Sequence, residues 1–350
     1  MTKSKSYIAT PPGATIKEQL IDRGMNQKDF AMRMDMSEKH ISKLINGEVQ
    51  LTHDCAFRLE MVLGIPAKFW SNLEVAYREK LAKVKAENSM EADEDIARQL
   101  PYAEMARYRW VPETRNIKEK VINLRKFFEV VELSLLGNSK ITRIACRRLE
   151  TTTKSDLALM AWAQRAKAIS RDIDTKSIDI SCLIKNLDKI RLMTLMSPEE
   201  FCHTLKNVLS DCGISLVFLQ HLKGSFLHGA TFVDGNKIVL GLTTRGSDAD
   251  RFWFSLFHEL GHIVLGHIGN EAGLSTQEEF EADEWARDRL IPPDEFVRFK
   301  NEKDFSVNAV KKFAEEVRIA PGIIVGRLQK EGELKYNVLN ELKEHYVIEY

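Results

Sequence analysis

The chain has 350 residues, 44% hydrophobic and 29% charged, with Lys+Arg and Asp+Glu both totalling 51. Such a composition excludes a disordered polar chain and a uniformly basic nucleic-acid coat, and the length calls for two or three domains, each with its own core. Every apolar run falls short of the roughly 18 residues of a membrane helix, and the start MTKSKSYIATPPG lacks a secretory apolar segment, so a cytoplasmic protein with no membrane contact is expected.

After the Pro11-Pro12-Gly13 breaker, Thr15 and Glu18 have the spacing of a capping box at a helix start. To about residue 80 the apolar positions fall three or four apart, as in Phe30/Ala31/Met34 and Ile41/Leu44/Ile45, with Gly24, Asn46-Gly47 and Gly64 as breaks. The stretch MNQKDFAMRMDMSEKHISKLINGEV has the order of a helix-turn-helix. Gln27 opens a helix, Ala31 permits close packing, and Ile41 with Leu44 anchors a second helix. That places Ser37, Glu38, Lys39, His40, Ser42 and Lys43 on the outer side of the second helix, where base edges and phosphates would be met. Residues 15–80, including AFRLEMVLGIPAKFWSNLE, resemble the HigA-like branch of the XRE regulators, which implies operator DNA as partner and a homodimer. With 12 basic and 10 acidic side chains over residues 1–80, the electrostatic footprint is weak, and a helical dimerisation module without operator contacts is the alternative.

Residues 81–100 are charged and read as a solvated helix or linker. The pattern then stays helical to about 210, with Phe127, Phe128, Trp162 and the Leu183–Leu195 segment as expected core. Ile214–Leu219, Gly229–Val233 and Lys237–Leu242 read as strands, the last two joined by a hairpin at Asp234-Gly-Asn236. Helices are expected from about Ala249 to Leu265 and from about Gln277 to Leu290, the second stopped by Pro292-Pro293. The five cysteines (Cys55, Cys146, Cys182, Cys202, Cys212) are odd in number and never spaced CxxC, so reduced thiols are expected.

The stretch FHELGHIVLGH carries the chemistry. At 100° per residue, Arg251, Ser255, His258 and His262 share a seam about 60° wide, with Glu259 on its border and apolar side chains round the rest. Burying two imidazoles and a carboxylate demands a compensating partner. Spacing of i and i+4 lets both imidazoles reach one zinc, with the intervening Glu259 beside a metal-held water as its base. A third ligand is needed, and EEFEADEWARDRL offers Glu279 on the stripe of small residues facing the core. Asp283, one turn on, would orient a ligating imidazole. Glu281 is the competing ligand and points almost the opposite way. His267 reads as a helix-end histidine facing the dipole, or as a ligand in its own right.

From about Ile141 to Arg327, HELGH, the preceding RFWFSLF, the HGATF…KIVLGL hairpin, EFEAD followed by LIPP, and APGIIVGRLQ resemble the ImmA/IrrE metallopeptidases. The resemblance implies Zn2+ held by His258, His262 and Glu279, Glu259 as base, and a transcriptional repressor as protein substrate in a stress, prophage or toxin–antitoxin setting. His228 and Arg245 are candidates for the transition-state stabiliser. The expected fold is multidomain and mainly α. It comprises an all-α helix-turn-helix domain (1–80), a helical linker (81–140) and an α+β zincin-like domain (141–350). That last domain divides into a helical part (141–210) and a catalytic core (211–330) holding a small antiparallel sheet and the HExxH helix. Two functions stay open: a zinc endopeptidase coupled to a DNA-binding-type domain, or a DNA-binding regulator or antitoxin whose metallopeptidase-like domain is sensor or scaffold.

Overall fold

The computed structural model describes residues 2–4, 7–137, 154–223, 225, 229–243, 248–268 and 274–346. The chain divides into two compact units, Met1–Asp95 and Ile96–Tyr350.

In the first unit a strand pair, β1 (Thr2–Lys3) and β2 (Ile8–Ala9), precedes α1 (Gly13–Asp22), α2 (Gln27–Arg33), α3 (Glu38–Asn46) and α4 (His53–Leu63). The side chains of Asn26, Ser37 and Thr52 cap α2, α3 and α4 by accepting the backbone N–H of Asp29, His40 and Cys55. Gly47 and Gly64, at φ 75° and 68°, end α3 and α4 in the left-handed conformation. Helix α1 starts two residues before the expected capping box, which does not form. Pro12 takes the cap position with no side-chain bond, and the preset proline φ starts the helix without one. Ile16, Phe30, Met34, Ile41, Leu59 and Trp70 fill the core. Helix α5 (Ala67–Gln99) turns the charged stretch after residue 80 into unbroken helix.

The second unit contains α6 (Tyr102–Arg107), α7 (Ile117–Phe128), α8 (Lys154–Ser170), α9 (Ile180–Leu192) and α10 (Pro198–Asp211). Strands β3 (Ile214–Leu219), β4 (Gly229–Asp234) and β5 (Lys237–Thr243) follow. The chain continues through α11 (Ala249–Val264), α12 (Thr276–Leu290), α13 (Pro293–Glu302), α14 (Val307–Val317) and α15 (Pro321–Lys330). The sheet order is β3-β5-β4, with β4 antiparallel and β3 parallel to β5. The expected antiparallel sheet is therefore mixed. The hairpin forms as read, with Gly235 at φ 63° in its two-residue loop. Strand β3, however, pairs with the returning strand β5, leaving β4 at an edge.

One face of the sheet, with Leu216, Phe218, Ile238 and Leu240, joins a core built with Phe201, Trp253 and Leu256 from α10 and α11. On α8, buried Trp162 lies over Gly241, where a Cβ would meet its ring at 2.6 Å, and donates its indole N–H to Gln220 O at 3.1 Å. Of the expected core, Phe128, Leu183, Leu187 and Ile190 are buried, whereas Phe127 is half-buried and Leu195 exposed. Cys182 on α9 and Cys212, which ends α10, stand with their sulfurs 2.6 Å apart, a proximity their 30-residue separation did not announce. Among the described residues, no helix is long and apolar enough to cross a membrane.

Candidate metal centre and nucleic-acid interface

Helices α11 and α12 lie close because small residues line their contact. At Gly261 a Cβ would stand 3.2 Å from Trp285 and 3.3 Å from Ala282 O. The apolar circumference expected of α11 is buried at Trp253, Leu256, Phe257, Leu260 and Ile263. Burial fixes the rotation of the helix, so His258 and His262 must face α12.

His258, His262 and Glu279 gather their donor atoms at one point. His258 Nε2 and His262 Nε2 are 3.0 Å apart, and Glu279 brings Oε2 to 3.4 Å from the first and Oε1 to 4.0 Å from the second. Ligands of a tetrahedral zinc at 2.0–2.1 Å stand about 3.3 Å from one another. The three side chains fit such an ion, and no further protein ligand joins this group among the described residues. Asp283 Oδ1 lies 2.9 Å from His258 Nδ1, the nitrogen turned away from the shared point, and its Oδ2 takes Lys330 Nζ at 3.4 Å. That is the orienting position expected of it.

The electrostatics agree with this geometry. Burial opposes charge on His258, but hydrogen bonds with Asp283 and Glu279 outweigh it and push its pKa up to about 10. Burial, then the His258 charge, brings His262 down to about 4. The cluster thus draws one positive charge to its centre, and a divalent cation would compete with that proton. Asp283 is held below its ordinary value chiefly by its bond to His258. Glu259 is buried, and burial pushes it up to about 7 against the pull of His258 and of Thr231.

Sequence reasoning missed the residues that hold Glu259. Thr231 on edge strand β4 donates its hydroxyl to Glu259 Oε2 at 2.6 Å, and a Cβ at Gly229 would stand 2.7 Å from Glu259 Cγ and Oε1. Glycine leaves room for the carboxylate at that point. The strand pattern and the HELGH motif carried no sign that the two elements meet.

Glu281 and His267, the alternative ligands, fall outside the group of ligand atoms among the described residues. Glu281 does not turn away from the site. It reaches His267, with Oε2 3.3 Å from Nε2. His267 stands at the helix end, where its backbone N–H bonds His262 O at 2.9 Å, and it stays outside the group of ligand atoms. It is buried with Nδ1 3.1 Å from His262 Nδ1. His228 and Arg245, the candidate stabilisers, lie outside the described residues.

In the first unit, α2 and α3 place Gln27, Ser37, Lys39, His40 and Lys43 at the surface, with Ser42 half-buried. Lys39 and Lys43 are one turn apart on the exposed side of α3, opposite buried Ile41, Leu44 and Ile45. Glu38 is exposed beside them and adds a negative charge to that surface.

Comparison with known proteins bears on this first unit. A family model described as Helix-turn-helix matches residues 16–70. An uncharacterized HTH-type transcriptional regulator, YddM of Escherichia coli (strain K12), is 32% identical over 66 residues, which is 19% of this chain and 70% of that protein. The solved structure of an addiction module antidote protein of a HigA family from Coxiella burnetii is 28% identical. It covers 24% of this chain and 94% of its own, with a TM-score of 0.22.

Proposed function

We propose, from the premise that this chain belongs to the helix-turn-helix family of transcriptional regulators, that it binds operator DNA through α3 and carries a zinc centre in its second unit as a sensor or scaffold. The observation that carries the reading is the family match over residues 16–70, within which α3 turns Lys39, His40 and Lys43 outward. A dimer is part of the proposal, as the symmetric half-sites of helix-turn-helix operators favour. The test is binding of the purified chain to its own upstream DNA. Lys39→Ala with Lys43→Ala should weaken binding across sequences and lower the salt slope by about two phosphate contacts' worth. Absence of any wild-type complex would favour a dimerisation module instead.

A second reading, a zinc endopeptidase cutting a transcriptional repressor in a stress or toxin–antitoxin response, is favoured by Glu259. A purely structural zinc has no use for a buried carboxylate next in sequence to one of its ligands. Zinc bound by His258, His262 and Glu279 would supply Lewis acidity to a scissile carbonyl and acidify water. Glu259, steadied by the Thr231 hydroxyl, would accept the water proton and return it to the leaving amine. Edge strand β4, which pairs on one side only among the described strands, offers a backbone along which a substrate strand could lie. Glu259→Gln should keep zinc and fold yet stop cleavage of a co-expressed regulator. Continued cutting by that variant removes this reading.

A further inference from the structure

We propose that His267 and Glu281 form a relay that positions His262 for metal binding, an inference that rests on the zinc centre proposed above. The outer nitrogens of the two imidazoles meet different partners. His258 Nδ1 meets Asp283, whereas His262 Nδ1 meets another imidazole, that of His267, at 3.1 Å. His267 in turn meets Glu281 at 3.3 Å through its Nε2.

The backbone explains why His267 is there. Helix α11 ends in a Schellman motif: Gly266, at φ 77°, takes the left-handed conformation, the Gly266 N–H bonds Ile263 O at 3.3 Å, and the His267 N–H bonds His262 O at 2.9 Å. This turn folds residue 267 back over the last helical turn, and His267 is 6% exposed as a result. A buried imidazole needs partners for both nitrogens. His262 and Glu281 supply one each.

Proton positions then follow from donor and acceptor balance. If His262 gives its Nε2 lone pair to the ion, its proton must sit on Nδ1, and that N–H donates to His267 Nδ1. His267 then carries its own proton on Nε2 and donates it to the Glu281 carboxylate. The chain Glu281–His267–His262 fixes both the tautomer and the ring plane of the ligand, as Asp283 does for His258. Glu281, the alternative ligand in sequence reasoning, thereby acts through two imidazoles, and the ligating carboxylate remains Glu279.

The test measures Zn2+ affinity of the full chain by competition with a chromophoric chelator. His267→Ala should raise the dissociation constant by about 10- to 100-fold, the usual effect of losing a partner of a ligating imidazole. Glu281→Ala should raise it in the same direction. The double variant should be little worse than His267→Ala, because the two act in series. His267→Asn, whose amide oxygen can stand where Nδ1 stood, should recover part of the loss. In the zinc-loaded wild type, nitrogen NMR should find the His262 proton on Nδ1. Zinc binding by His267→Ala and Glu281→Ala at wild-type strength overturns the relay while leaving the metal centre standing. A wild-type chain that binds no zinc overturns both. Should His267→Ala fail to fold, Glu281→Ala, whose side chain is 44% exposed, decides the matter alone.

Discussion

On the peptidase reading, Gly229→Ala should slow cleavage by displacing Glu259, without touching the side chains proposed to hold zinc. The added Cβ would stand 2.7 Å from both Cγ and Oε1 of Glu259, where ordinary contact begins at 3.4 Å, so the carboxylate must retreat by about 0.7 Å. Glu259 has little freedom to adapt, being buried on α11 and held by Thr231. A misplacement of 1 Å in a reacting group can cost about 100-fold, so 0.7 Å corresponds to roughly 25-fold, or about 2 kcal/mol of barrier. Alanine is otherwise harmless there, because Gly229 sits in a strand and needs no left-handed backbone. The assay is the initial rate on a pool of internally quenched peptides, with zinc content and thermal melting measured alongside. Unchanged zinc and melting with a rate within twofold of wild type would refute the placement of Glu259 as the base.

Other perturbations probe the scaffold. Lys343→Met should destabilise the second unit by about 3–5 kcal/mol in chemical denaturation, since it leaves buried Asp250 without the ammonium now 2.7 Å away. Gly13→Ala should destabilise the first unit by about 1–3 kcal/mol, because its Cβ would meet the Ile45 carbonyl at 1.9 Å, leaving α1 and α3 to separate. Glu331 is held below its ordinary value: burial opposes this, but Lys300 and Arg327 outweigh it. Its stabilising effect is present above the unfolded carboxylate pKa and lost as pH falls through the folded one, so Glu331→Gln should flatten the acid limb of a stability–pH curve. Treatment with hydrogen peroxide should join Cys182 to Cys212 with loss of two free thiols, and Cys182→Ser should abolish the cross-link.

The elements around the site were legible where burial imposes a period. Helix α11 ends one residue from its expected limit, and its apolar circumference forced His258 and His262 onto a common face. The stripe of small residues on α12 sets Glu279 near His258 and His262, and Asp283 beside His258. What escaped was long-range or set by turns. Thr231 meets Glu259 across 28 residues, which no local pattern encodes. A helical wheel sent Glu281 away from the core because it treats α12 alone, whereas the Schellman turn after α11 brings His267 round to meet it. The sheet was misread for a similar reason, since alternation shows that β3 is a strand without choosing its neighbour. In the first unit the start of α1 was misplaced because proline needs no side-chain cap, and the caps Asn26, Ser37 and Thr52 passed unread.

The most direct test of the metal centre is zinc content after purification and dialysis of the full chain beside Glu279→Ala. The arrangement of His258, His262 and Glu279 predicts one zinc per wild-type chain and none in the variant. A wild-type chain free of zinc after exposure to the ion, or a Glu279→Ala chain holding it as firmly as wild type, would contradict it.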